Sequence, residues 1–161
     1  MTRKEEILDR LFTLLKNARQ ETRAEVIINQ IWQIWLDSGD ASLNLMMKEG
    51  NEALTAGNYN DAIKIFTEAL LYKDSYAEAW NKRATAYFLR GNYKQALEDI
   101  KETLKREPRH FGAMAGAAHI YATISDMAAL LGSLESLYEI NPSYPNLAQN
   151  INTLKRKLGR S

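Results

Sequence analysis

The chain contains no cysteine among its 161 residues. That removes disulfides, thiolate nucleophiles and cysteine-based zinc sites together, and it suits a reducing compartment. Only two histidines are present, His110 and His119, and no tight carboxylate cluster accompanies either as a metal set. Proline is scarce at three residues, so little of the chain is barred from helix. No charge of one sign dominates, because the formal net charge is +1, and no whole-chain field points to nucleic acid or an anionic membrane. Long apolar runs are also missing. The most apolar stretch, VIINQIWQIWL at 26–36, is too short to span a bilayer and carries Asn29, Gln30 and Gln33. The opening residues MTRKEEILDR lack the apolar core of a signal peptide, so a cytoplasmic protein is expected. No G-x-S-x-G elbow surrounds Ser133 and no glycine loop suited to phosphate occurs. Neither an enzyme nor a cofactor is expected. His110 and His119 read as packed or surface histidines rather than as ligands or bases.

Repetition is what the sequence does have. GNYNDAI at 57–63 returns as GNYKQAL at 91–97, 34 residues later. At that step Tyr59 meets Tyr93, Ala62 meets Ala96 and Phe66 meets Ile100; Met46, Trp80 and Met114 form a column, as do Asp74, Pro108 and Pro142. The register runs without insertion over 43–76, 77–110 and 111–144. A period of this size means a stacked array of units, none of which buries its apolar face alone.

Each unit reads as two helices. In AEAWNKRATAYFLR, the spacing of Ala79, Trp80, Ala84, Tyr87 and Phe88 makes one apolar face. Gly91 supplies a left-handed stop. Asn92 with Gln95, and Asn58 with Asp61, are spaced to cap the helices that follow. The helix after Asn92 runs until Pro108. Ala62 and Ala96 are small enough for paired helices to approach closely.

Trp80, Tyr87, Gly91, Tyr93, Ala96 and Pro108 in one unit, and Gly50, Gly57, Tyr59, Ala62, Phe66 and Ala69 in the one before, resemble the tetratricopeptide repeat motif. The third unit keeps Tyr121, Leu134 and Pro142 but has Ser125-Asp126-Met127 in place of Gly-x-Tyr. Longer phrases such as WNKRATAYFLRGNY and EPRHFGAMAG are similar to small bacterial proteins of this family. The resemblance implies an all-α fold, a right-handed α-α superhelix of three hairpins. One further step back in register places Phe12, Ile28, Trp32 and Trp35 in the columns, so 5–37 is expected to be a degenerate N-terminal hairpin with a break near Arg19–Arg23. The apolar arc of Ile27, Ile28, Ile31, Trp32, Ile34, Trp35 and Leu36 is either core or a surface for self-association. At the other end, 145–158 is expected to be a cap helix with Leu147, Ile151, Leu154 and Leu158 on one face. Its basic tail, Lys155, Arg156, Lys157 and Arg160, either complements the helix dipole or contacts an anion.

The resemblance also implies a concave surface lined by the first helix of each unit and used for extended or helical peptides. Its lining offsets fall on Asn44, Met47, Asn51 and Leu54, on Glu78, Asn81, Thr85 and Phe88, and on Gly112, Ala115, His119 and Ala122. Asn51 and Asn81 either bond a peptide backbone or satisfy neighbouring helices. Gly112 and Gly116, within a helix, mark a close approach by a neighbouring helix or by a ligand. Chaperone-binding members of the family clamp a terminal carboxylate with lysines, asparagines and an arginine. Here Asn51 fits one of those positions, while Met47, Lys82, Gly112 and Gly116 depart from the other four. A carboxylate needs those cations against its desolvation, so chaperone tails are not the expected ligand, although Lys48 and Lys82 leave some attraction for an acidic peptide.

A nucleic-acid partner is not expected either. The second unit carries eight Lys and Arg against five Asp and Glu, the third carries no Lys or Arg and three acids, and the basic stripe is therefore interrupted. The expected function is that of a non-catalytic adaptor or scaffold for a protein or peptide. The alternative is a structural or self-associating subunit of a larger assembly.

Overall fold

The computed structural model describes residues 1–160, in which nine α-helices and no strands occur. They are α1 (Arg3–Asn17), α2 (Glu21–Leu36), α3 (Ala41–Thr55), α4 (Tyr59–Tyr72), α5 (Ala77–Arg90), α6 (Tyr93–Arg106), α7 (Phe111–Thr123), α8 (Met127–Ile140) and α9 (Leu147–Lys157). The chain forms two compact units. One comprises Leu36–Ile120; the other comprises Met1–Trp35 and the chain from Tyr121 onward.

Within Leu36–Ile120, α3 pairs with α4 and α5 with α6; α4 packs on α5, and α3 and α5 lie side by side. The loops between paired helices follow one rule. After α3 and α5 the chain turns through left-handed Gly57 (φ 79°) and Gly91 (φ 89°). Behind each, the next N–H closes a wide turn, Asn58 N–H to the Ala53 carbonyl at 2.9 Å and Asn92 N–H to the Tyr87 carbonyl at 2.8 Å. These bonds satisfy carbonyls that the helix end leaves open. The same turn recurs after α7, with Asp126 N–H on the Tyr121 carbonyl at 2.9 Å, although Ser125 must then adopt φ 61° without glycine's freedom.

The caps differ from expectation. Neither Asn58 nor Asn92 caps the following helix with its side chain. Arg90 takes the Asn92 oxygen instead, donating Nε–H to Oδ1 at 2.6 Å. Side-chain caps form elsewhere. Thr2 and Glu5 make a reciprocal capping box on α1, Asp40 accepts from the N–H groups of Ser42 and Leu43 on α3, and Asp126 accepts from Ala129 N–H on α8.

Small residues set the packing distance in the core. Ala62, Ala69, Ala79 and Ala86 have no exposed surface, and around them cluster Leu43, Met47, Leu70 and the fully buried Phe66. Burying a phenylalanine of that size contributes up to about 3 kcal/mol. Gly50 of α3 faces the Phe66 ring so closely that a Cβ there would stand 2.3 Å from Cε1. On α7, a Cβ at Gly116 would lie an ordinary 3.6 Å from Ile100 Cδ1 of α6, so the neighbouring helix does not require glycine there.

A polar staple joins α4, α5 and α6. Arg83 bonds Asp99 through Nε and Nη2, both at 2.8 Å, and donates Nη1–H to Thr67 Oγ1 at 3.2 Å. Burial pushes the Asp99 carboxyl up, more than the guanidinium pulls it down, while the same bonds hold the Arg83 guanidinium higher. Arg83 and Arg106 both lie over the Trp80 ring, at 5.1 and 4.6 Å from its centroid, and the Trp80 indole N–H bonds the Asp74 carbonyl at 2.8 Å.

In the other unit, α8 packs on α9 and α1 lies against α8. Leu147, Ile151 and Leu154 of α9 bury one face against Leu131, with Leu158 beside them. On α2, Ile27, Ile31 and Trp35 are buried, and the Trp35 ring meets Phe12 at 5.8 Å and Trp32 edge-on at 5.3 Å. Ile28, Trp32 and Ile34 are partly buried, and Leu36 is half exposed at 49%.

Candidate functional site

An open hollow of about 610 Å³ lies along α3 within Leu36–Ile120. Leu36, Met47 and Ala56 supply apolar wall, and Asn51, Tyr76 and Glu78 supply polar groups. The helical period explains the α3 contribution, since Asn44, Met47, Lys48, Asn51, Glu52 and Thr55 recur at three and four residues along one face. Lys48 and Glu52 stand one turn apart, both exposed. Asn44 is held in place, with its Oδ1 accepting from the Ser38 hydroxyl at 2.6 Å and its amide donating to Asp37 at 3.1 Å.

Below the hollow sits a buried polar pair. Glu78 and His110 are each 1% exposed, and His110 Nε2 lies 2.8 Å from Glu78 Oε2. His110 Nδ1 accepts the N–H of Ala113 at 3.0 Å, which caps the start of α7. A nitrogen that accepts carries no proton, so the ring is the neutral tautomer with hydrogen on Nε2, donated to Glu78. The other Glu78 oxygen accepts from the Asn81 amide at 3.1 Å. Both oxygens therefore act as acceptors, and neither of these side-chain donors carries a full positive charge. Beside them, burial pushes the Tyr76 phenol well above its ordinary range, and the charges of Glu78 and Asp37 push it further.

Of the residues expected to line a binding groove, Met47 and Asn51 meet in this hollow, joined by Asn44 and Glu78. Leu54 packs against the core of α3 and α4. Asn81 is buried and bonded to Glu78, and Thr85 donates its hydroxyl to the Asn81 carbonyl at 3.2 Å. Phe88 stacks at a tilt on Tyr93, 5.7 Å between centroids. Ala115 is half-buried on α7 and His119 is exposed. Leu36 and Tyr76 were not anticipated, because one ends the preceding helix and the other lies in the loop before α5. Among the described residues no cluster of three or more His, Asp or Glu could hold a metal ion, and no helix is long and apolar enough to cross a membrane.

The tetratricopeptide repeat model matches residues 47–100. A TPR repeat-containing protein of Rhizobium etli is 38% identical over 151 residues, covering 94% of this chain and 74% of the relative. The chain belongs to the tetratricopeptide repeat family. Among solved structures, the first TPR domain of Spaghetti (RPAP3), bound to the HSP90 peptide SRMEEVD, superposes with a TM-score of 0.67 at 16% identity, covering 74% of this chain and 96% of that one. The type III secretion chaperone SycD of Yersinia enterocolitica, in complex with a peptide of the translocator YopD, also gives 0.67, at 14% identity, covering 76% and 99%. At such identities the likeness is one of fold.

Proposed function

We propose that the chain is a non-catalytic binding module that takes an extended peptide segment of a partner protein in the hollow along α3. The observation carrying this reading is the hollow itself: an apolar wall of Leu36, Met47 and Ala56, with the Asn51 amide available to bond a peptide backbone. Two proteins of the same fold are described with bound peptides, RPAP3 with an HSP90 segment and SycD with a YopD segment. The fold thus tolerates unlike ligands, and the site's side chains must choose among them. A clamped terminal carboxylate fits poorly here, since Met47 replaces a cation and Glu78 adds an anion.

The test is selection from a displayed random-peptide library. Enriched peptides are then titrated by fluorescence anisotropy against the wild type and Asn51→Trp, whose indole would obstruct the hollow and remove the amide. Loss of binding in the variant, with an unchanged circular dichroism spectrum, is the expected result. Equal binding to both proteins would refute the assignment.

A further inference from the structure

The geometry points to a specific ligand chemistry for this hollow: a peptide segment that places a lysine or arginine side chain between apolar ones. This rests on the hollow being the binding site. Three observations carry it. First, Glu78 lines the hollow yet is only 1% exposed, so water and salt screen its carboxylate weakly. Second, its side-chain partners are a neutral imidazole and an amide. The start of α5 adds partial positive charge, but a helix terminus supplies only about half a unit. A full counter-charge is absent from the pair, and a buried carboxylate gains most from one. Third, Lys48 and Glu52 on the rim offset each other, so the floor decides the sign.

Leu36 and Met47 would then hold the apolar neighbours of the cationic residue. An acidic segment meets repulsion at the same floor, so the site discriminates by charge as well as by shape.

The probes are acetylated and amidated nonapeptides in which leucine and serine alternate around one central lysine, norleucine or glutamate. Affinity is measured at low and moderate salt against wild type, Glu78→Gln, Glu52→Gln and Asn51→Trp. The lysine peptide is expected to bind wild type about tenfold more tightly than the glutamate peptide, with the gap narrowing in Glu78→Gln and largely persisting at moderate salt, which screens the exposed rim charges but not the buried carboxylate. Glu52→Gln, on the exposed rim, narrows it less and serves as the folded comparison should Glu78→Gln lose helicity; a wild-type gap that survives moderate salt then supports the buried carboxylate, and one that collapses refutes the charge assignment. If Asn51→Trp abolishes binding while lysine and glutamate peptides bind alike, the hollow is a site and the charge assignment is wrong. If no probe depends on Asn51, the assignment of the hollow and this inference both fall.

Discussion

Replacing Gly50 with alanine sets two forces of known size against each other. A glycine inside a helix costs roughly 1 kcal/mol relative to alanine, so propensity alone favours the substitution. The tertiary structure opposes it. The new methyl would stand 2.3, 2.7 and 2.8 Å from three atoms of the Phe66 ring, which has no exposed surface and no open direction in which to retreat. Overpacking of a rigid core costs about 1–3 kcal/mol, and contacts this short belong at the upper end. The expected balance is a loss of about 1–2 kcal/mol. Two internal comparisons isolate the cause. A Cβ at Gly116 meets Ile100 at an ordinary 3.6 Å, and one at Gly132 meets nothing within 4 Å. Both alanine variants should therefore gain stability, by about 0.5–1 kcal/mol. The assay is urea denaturation followed by circular dichroism, with Gly50→Ala also made alongside Phe66→Leu, where the shortened side chain should recover part of the loss. A stabilised Gly50→Ala, or equal shifts at all three glycines, would show that helix propensity and not the α3–α4 contact governs the position.

Two further outcomes are expected. Ser125→Gly should raise the denaturation midpoint, by about 1 kcal/mol of stability, because the serine occupies a left-handed turn (φ 61°) that glycine adopts freely. His110→Ala should cost about 3 kcal/mol, since it leaves the buried Glu78 Oε2 without its donor and uncaps α7, and the cost should shrink in the His110→Ala/Glu78→Gln double variant. Additive losses in that thermodynamic cycle would deny the coupling.

Much of the architecture is determined by local sequence. The 34-residue register is legible because the first two units solve the same packing problem with the same small residues, Ala62 and Ala96, and the same turn, Gly57 and Gly91. Even Ser125 keeps that turn, for the backbone bond from Asp126 to Tyr121 does not need the glycine, only the conformation. Tertiary contacts decided the rest. Asn92 has a good capping side chain, yet its oxygen accepts from the Arg90 guanidinium instead, and Asn58 likewise leaves its helix without a side-chain cap. His110 reads from sequence as a packed or surface histidine; it is packed, but its partner Glu78, 32 positions away and 2.8 Å from it, is set by the fold. The hollow's wall shows the same limit. The lining offsets implied by the family resemblance pick out Asn44, Met47 and Asn51, which share one helix face, but Leu36 and Tyr76 belong to segments outside that helix. Sequence alone orders residues along one helix; only the packed chain brings those three segments to one surface and buries a carboxylate beneath them.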